Sequence, residues 1–494
     1  MSKTQKNIKM ESSLADHKRY KKKLEPPFAK ANFTPTSWIN DRLPDMLWAI
    51  LAIDYWPRDK ALSLFRHVGR FVHDNQDCHD VTITGIGKYS IEKRQNIISH
   101  ITSWSMNTKE MLRPMMFFDS MPGISDWRQY LEDPIPEKDW ERLSKAVLKT
   151  LWHQSEEATD CRWIKVLCEM LGGKMYFNKD MKETARGILE YPSYGNLSHI
   201  RPTIRAIEIT PYVKKTKNDL KWPNDFWKTC YEMTGCSPEK SKISEAFRNE
   251  GRKNEREYYF EETRRIRIAI IDHFINTSKI TAIDARHEAS FGFTLYAFTL
   301  FSEIVFYSVD YALSGRMILR ALVECFITFK YLFDKNNDEL WKSFRAYGSG
   351  QAKLVYLKLQ EIKDKPDSID LEVMERIANE DAWLEFVSIN LGQWDNIDLR
   401  KMSEEVGLKY LYDHYYNWTS GYIHATWSAI RESVYERCFN PLHRLHRLPT
   451  NDFPMASKVT IDALNITNKV FDLLDKAYPS FAEKIHVYKP SGNE

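Results

Sequence analysis

The sequence predicts an all-α protein with two helical domains, the second a helical bundle that contains a buried polar cluster. Glycine is scarce, at 18 of 494 residues, which disfavours an architecture of sheets and tight turns. Apolar residues recur at helical spacing along most of the chain. The composition, 43% hydrophobic and 28% charged, is that of a soluble globular protein, and the length requires more than one domain.

The N-terminal helical domain is predicted over residues 36–210, after a basic flexible tail at 1–35. Its first helical patterns are LPDMLWAILAIDYW and DKALSLFRHVGRFVHD, which Pro57 separates. The segment TIRAIEIT, Thr203–Thr210, alternates well enough to predict one short strand. Further helices are expected near 90–103, 138–153, 160–171 and 181–190.

A polar, lysine-rich linker is predicted at 211–255, followed by the C-terminal helical bundle domain at 256–494. The most membrane-like run, FGFTLYAFTLFSEIVFYSVDY, is interrupted by Glu303 and Asp310. A membrane-spanning helix needs about 20 apolar residues with few charges, so this run predicts a buried core helix and no membrane contact. The helices of the bundle are expected at 258–275, 285–311, 315–333, 339–360, 408–436 and about 457–477.

The charge of the chain is concentrated at its beginning. Residues 1–30 hold nine Lys or Arg against three acids, which gives this segment a net charge of +6. The rest of the chain carries −3, so the net charge of the whole chain is +3. A solvated, partly disordered tail is the simpler interpretation. The alternative is a tail that contacts nucleic acid or an acidic protein partner.

The seven cysteines include no Cys-x-x-Cys pair, and the N-terminus has no apolar secretory signal, so a reduced, cytoplasmic protein is expected. The run HDNQDCHD, residues 73–80, is dense in metal-ligating side chains, but a polar turn explains it better because adjacent residues rarely converge on one ion. No metal or other cofactor is predicted. Phosphate-loop, dinucleotide, zinc-protease and nucleophile-elbow motifs do not occur in the sequence.

Glu324 lies in RALVECFITFKYLF, a helix that is apolar at nearly every angle. A buried carboxylate is costly unless a cation pairs with it. Arg320 precedes it by four residues and Arg316 by eight, on the same helical face. Glu324 is therefore expected to be buried and to pair with Arg320 or with Arg345.

A second polar row occurs in YNWTSGYIHATWSAIRES, where Tyr416, Ser420 and His424 recur every four residues and Arg431 follows. If the two rows face each other inside the bundle, they form one cluster to which FRAYGSGQ adds Arg345. A histidine held by a carboxylate can act as a general acid or base, and arginines bind phosphate. The predicted catalytic residues are His424, Glu324, Arg320 and Ser420, and the predicted substrate-binding residues are Arg345, Tyr347, Arg316, Tyr416 and Arg431.

These motifs, Arg-x-x-x-Glu, the later Arg-x-Tyr and Ser-x-x-x-His, resemble the bacterial helical domain-of-unknown-function family 5677 over about residues 260–440. The resemblance implies an accessory or effector protein of mobile elements and phage-defence loci, without implying a particular activity. The chain also satisfies the Arg-x(4–6)-His spacing of HEPN-type ribonucleases, at Arg437 to His443 and at Arg66 to His73.

Together these features predict an antiviral-defence or toxin-type effector that acts on nucleic acid as a metal-independent ribonuclease, with His424 as acid and base. Ligand binding without chemistry is one alternative. The other is a non-enzymatic scaffold or sensor subunit in which the Arg/Glu/His network is structural. The expected partners are RNA or another nucleic acid and a protein bound through the N-terminal domain or the tail, and a homodimer remains open.

Overall fold

The computed structural model describes residues 18–25, 36–209, 221–238, 251–279, 283–363, 366, 368–379, 392–450 and 457–489. The chain forms two compact units. The N-terminal unit comprises Met1–Glu239 and Arg437–Leu448, and the C-terminal unit comprises Lys240–Glu436 and Pro449–Glu494. The fold is all-α, as predicted, with a few very short strands.

The N-terminal unit begins, within the described residues, with an exposed antiparallel hairpin of two three-residue strands. The rest of the predicted tail, 1–17 and 26–35, lies outside the described residues. The elements of this unit are β1 Lys18–Tyr20, β2 Lys23–Glu25, α1 Leu47–Tyr55, α2 Arg58–Asp74, α3 Ile83–Lys88, α4 Ile91–Thr102, α5 Thr108–Leu112, α6 Ile124–Trp127, α7 Pro136–Leu151, α8 Glu156–Leu171, α9 Lys182–Leu189, α10 Leu197–Ile209 and α11 Lys221–Met233.

Tryptophan side chains join the helices of this unit. Trp38, Trp48 and Trp163 are buried, and each indole nitrogen donates to a backbone carbonyl of a distant segment, at 2.7–2.8 Å. A buried indole contributes a large apolar surface only if its N–H finds an acceptor. These three tryptophans therefore pack helices against one another with their buried indole donors paired.

Two predictions for this unit are wrong. The segment predicted as a strand is the second half of α10, because Ile200, Ile204 and Glu208 form a buried stripe with a period of four. The predicted linker contains α11, whose Trp222 and Phe226 are buried in the core of the N-terminal unit. The other parts of that linker, 211–220 and 239–250, lie outside the described residues.

The C-terminal unit contains the long helical series that the sequence predicts, with one correction. The predicted helix at 408–436 is broken: a π-helical turn spans Tyr412–Tyr416, and Ala425, at φ +47°, separates two short α-helices. The elements are α12 Gly251–Thr277, α13 Ala285–Phe306, α14 Leu313–Lys335, α15 Asp338–Gln360, α16 Leu371–Ala378, α17 Leu399–Glu405, α18 Lys409–Leu411, α19 Asn417–Ile423, α20 Trp427–Val434 and α21 Thr460–Ala477. The short strands β3 Tyr435–Arg437 and β4 Arg447–Pro449 each include a boundary between the two units.

Helix α13 contains most of the membrane-like run, and among the described helices it is the one long and apolar enough to cross a membrane. Asp284 caps its start by accepting a hydrogen bond from the amide of His287, at 3.0 Å. Phe298, Phe301 and Ile304 are buried in the core of the C-terminal unit, where α13 packs on α14 and α21. The burial of α13 is that of a core helix.

The interior of the N-terminal unit holds a cluster of charges around Glu208, which is fully buried. Arg42 donates to its carboxylate, and Arg162 and Lys165 lie 3.6 Å from it. Burial opposes ionisation of Glu208, but the three cations outweigh it and hold the pKa of Glu208 below its ordinary value. Burial raises the pKa of Glu169, 3.7 Å from Lys165, to about 7.

The raised pKa of Glu169 predicts a pH-dependent stability. Because folded Glu169 binds its proton more tightly than the unfolded chain does, its ionisation penalises the native state above pH 7, and the penalty disappears as pH falls towards 4.5. Glu169→Gln should therefore raise the free energy of unfolding by about 1–3 kcal/mol at pH 8 and change it little at pH 5. Thermal denaturation of both proteins at the two pH values measures this difference.

The matched control for that experiment is Glu141→Gln, which removes an exposed carboxylate from a surface pair with Lys145. This variant should melt with the wild type at both pH values. A Glu169→Gln effect of the same size at pH 5 and pH 8 would show that proton binding by Glu169 is not its origin.

Candidate functional site

Arg320 connects α14 to the segment that follows α18. Its Nε donates to Ser420 Oγ at 3.1 Å, Nη1 donates to Glu324 Oε2 at 3.0 Å, and Nη2 donates to the hydroxyl of Tyr416. The guanidinium also lies over the Tyr416 ring, 4.3 Å from its centroid. The structure therefore brings Arg320, Glu324, Ser420 and Tyr416 together, in the pairing of Glu324 with Arg320 that the sequence predicts.

The exposure of this cluster differs from the expectation. The side chain of Glu324 is 43% exposed and that of Arg320 is 18% exposed, so the carboxylate is not buried. The neighbours of Glu324 along the helix are apolar, but α14 leaves one strip uncovered, and Glu324 lies on it. Each of the three guanidinium nitrogens of Arg320 already donates to a side chain of the protein, so this guanidinium is held mainly by internal partners.

The other predicted members lie elsewhere. His424 is exposed at the C-terminus of α19, because the helix ends at Ile423, and no described side chain pairs with it. Arg345 pairs with Glu288 of α13 instead of Glu324, and its neighbour Tyr347 is half-buried. The cluster predicted from the sequence is therefore not assembled. Arg320, Glu324 and Ser420 meet, whereas Arg345 and His424 lie elsewhere.

Arg316, one helical turn before Arg320, lies in a different environment. It is 1% exposed, and its guanidinium donates to the carbonyls of Ala312 at 3.1 Å and Ser457 at 2.8 Å. No carboxylate of the described residues pairs with it, and its buried Nε has no acceptor among them. Burial lowers the pKa of Arg316, because removing the charged guanidinium from water is unfavourable.

A cavity of about 410 Å³ opens beside Arg316. The guanidinium lies 5.5 Å from the ring centroid of Trp418 and 5.7 Å from that of Tyr422, both on α19. Arg431, on α20, pairs with Glu432 at 2.7 Å at the opposite wall. We call this space the arginine–tryptophan cavity; it is lined by Arg316, Trp418, Tyr422, Ser428, Ala429, Arg431, Glu432 and Ser457.

Sequence reasoning identified two of the cavity residues, Arg316 and Arg431, but assigned them to the Arg320 cluster. It predicted no binding role for Trp418 or Tyr422. The signal that was available is the spacing of four between Trp418 and Tyr422, which places both rings on one side of a helix. The break at Ala425 then turns Arg431 towards that side, and nothing in the periodicity shows the break.

Two further sequence features are the run 73–80, which is rich in metal-ligating side chains, and the Arg-x(4–6)-His matches. In the run 73–80, Asp77 pairs with Lys93 while Cys78 is buried, so the candidate ligands do not converge, as a polar turn predicts. Arg66 donates to the carbonyl of Tyr191, and His73 is exposed. Neither Arg-x(4–6)-His match forms a helix-end pair of the HEPN kind.

One comparison with known proteins gives a match, and it covers most of the arginine–tryptophan cavity. Residues 287–437 match the model of a family described as a family of unknown function, DUF5677. This region resembles DUF5677. No match was found among curated proteins or among solved structures. The DUF5677-like region spans α13 to β3 and includes every cavity residue except Ser457.

Because the Arg320–Glu324 pair is partly exposed, we expect it to contribute little to the free energy of unfolding. Glu324→Gln should lower the free energy of unfolding by less than about 1 kcal/mol, because water screens a half-exposed pair. A fully buried pair broken on one side would cost about 3–5 kcal/mol. Chemical denaturation of the full chain measures the difference.

A suitable control is Glu339→Gln, which breaks the exposed pair with Lys342 on α15. The two variants should lie within experimental error of each other. A loss of several kcal/mol confined to Glu324→Gln would mean that the pair is desolvated in solution.

Proposed function

We propose that the C-terminal unit binds single-stranded nucleic acid in the arginine–tryptophan cavity and that the protein is an effector of defence or toxin type. The observation that carries this proposal is the buried Arg316, which has no carboxylate partner among the described residues at the wall of a cavity. A desolvated cation is costly, and an anion in the cavity would offset that cost. Phosphate suits the planar guanidinium, which offers two parallel donors.

The aromatic walls distinguish nucleic acid from a simple anion. Trp418 is 51% exposed, so one face of its indole is available to a ligand. Proteins that bind single strands combine basic groups for the backbone with rings on which bases stack. The cavity volume of about 410 Å³ falls within the range of small-ligand pockets, which admits one nucleotide unit.

The Arg320 cluster supports a structural part for the rest of the predicted site. Each of its guanidinium nitrogens donates to Ser420, Glu324 or Tyr416, and the bond to Ser420 joins α14 to α19. We propose that this cluster positions α19, so that Trp418 and Tyr422 face Arg316. In this proposal the Arg320 cluster has the structural role that the sequence analysis gave as an alternative. The neighbouring arginine–tryptophan cavity binds the ligand.

The stacking role of Trp418 yields a matched test. Trp418→Ala should weaken binding of a fluorescein-labelled single-stranded RNA by about 5- to 150-fold, since one base–ring stack contributes about 1–3 kcal/mol. Trp427→Ala removes a tryptophan that is 63% exposed on α20 and does not line the cavity. This control should bind as the wild type does, with anisotropy titrations as the measurement.

A substitution of Glu432 tests the electrostatic part of the proposal in the same RNA-binding titrations. Its carboxylate competes with phosphate for Arg431, so Glu432→Gln should tighten binding and steepen its salt dependence. Equal affinities for Trp418→Ala, Trp427→Ala and the wild type would contradict the proposal.

Ribonuclease action is the second candidate, and the accessible imidazole of His424 favours it. His424 follows Tyr422 by two residues, and its ring is exposed to a bound strand. If His424 is the acid and base, His424→Ala should reduce RNA cleavage by about 10²–10⁴ while leaving affinity unchanged. A DNA strand of the same sequence should bind and remain intact, because a metal-independent mechanism uses the ribose 2′-hydroxyl.

The control for cleavage is His414→Ala, which removes another exposed histidine of the same region. Denaturing gels of end-labelled RNA report cleavage by each variant. Cleavage that persists in His424→Ala would remove the ribonuclease assignment and leave the binding proposal unchanged.

A further inference from the structure

Four metal-ligating side chains meet in the N-terminal unit. They are Cys236, just after α11, and Cys438, His443 and His446 in the Arg437–Leu448 segment of the same unit. Their ligand atoms all lie within 4.8 Å of one another. Among the described residues, no other group of three or more His, Cys, Asp or Glu is arranged to hold a metal ion.

The separations between these atoms fit a tetrahedral ion. Cys236 Sγ lies 3.4 Å from His443 Nδ1 and 3.4 Å from His446 Nε2, and Cys438 Sγ lies 3.6 Å from His443 Nδ1. Sulfur at about 2.3 Å and nitrogen at about 2.0–2.1 Å from a tetrahedral zinc are about 3.5 Å apart. A two-iron cluster would place its cysteines and histidines on different irons, which these short sulfur–nitrogen distances do not allow.

The surroundings orient each ligand towards the common point. His443 Nε2 lies 3.2 Å from the carbonyl of Thr234, to which it can donate, and this fixes the tautomer with Nδ1 free. The amide of Ser237 donates to Cys438 Sγ at 3.4 Å. Hydrogen bonds from backbone amides to sulfur, and from the far nitrogen of histidine to a carbonyl, are the usual supports of metal ligands.

The backbone brings the ligands of the later segment together. Cys438 donates its amide to the carbonyl of His446, at 3.0 Å, which closes a loop around His443. Arg444 and Leu445, between the two histidines, both adopt left-handed conformations, with φ of +55° and +54°. Such conformations are costly for residues with side chains, and here they turn both imidazoles to one side.

We propose that Cys236, Cys438, His443 and His446 hold one structural zinc ion. Four protein ligands complete a tetrahedral coordination and leave no open position for a reacting water, so this site is structural. The ion would fasten the Arg437–Leu448 segment to the end of α11 within the N-terminal unit. Thiolates and imidazoles form the Cys₂His₂ ligand set that selects zinc in reducing surroundings.

The test uses the untagged full chain, purified after growth with added zinc. Elemental analysis should find about one zinc per chain, and replacement by cobalt(II) should give the strong visible bands of a tetrahedral thiolate site. Cys236→Ser changes an exposed ligand and should lose the metal without preventing folding. His73→Ala removes an exposed histidine outside the cluster and should keep the metal.

Zinc removal supplies an independent readout. A strong chelator should lower the melting temperature of the wild type, and added zinc should restore it, while Cys236→Ser should already melt at the lower temperature. Absence of zinc from the wild type, retention of zinc by both Cys236→Ser and His446→Ala, or a Cys236–Cys438 disulfide in the purified protein would each overturn the proposal.

Discussion

Charge buried among helices must be balanced, and this constraint determines how both units are organised. In the N-terminal unit three cations, Arg42, Arg162 and Lys165, share the carboxylate of Glu208. That arrangement satisfies the charge internally and connects α8 and α10 to the start of the unit. In the C-terminal unit Arg316 has backbone carbonyls and aromatic rings around it, but no described carboxylate. The first cluster balances its charge within the protein, and in our proposal an anionic ligand balances the second.

The same distinction separates two arginines within the DUF5677-like region. Arg320 and Arg316 are four residues apart on one helix, and their sequence contexts are similar. Each guanidinium nitrogen of Arg320 donates to a side chain, whereas the buried Nε of Arg316 has no acceptor among the described residues. A polar residue in an apolar helix therefore indicates a site only after its partners are known, because a satisfied network and a binding site begin from the same residues.

Much of the fold could be predicted from the sequence because helical periodicity is a strong local signal. The helices around Pro57 and the long helices of the bundle lie where the pattern places them. The break after Ile423 could not be predicted, since it depends on the left-handed backbone of Ala425 and not on hydrophobic spacing. That break moves His424 away from the polar row. The Cys/His cluster was missed for a different reason: Cys236 and His443 are 207 residues apart, and no short motif joins them.

The return of Arg437–Leu448 to the N-terminal unit has a consequence for the order in which the protein can fold. Leu442 is buried in the core of that unit, and Ser237 pairs with Cys438 across 201 residues of intervening chain. During synthesis domains tend to fold from the N-terminus as they emerge, but here the first unit waits for a segment made after most of the second. Closing so long a loop is slow, and the intervening chain contains most of the C-terminal unit. The earlier unit in the sequence is therefore among the last to be completed on the ribosome.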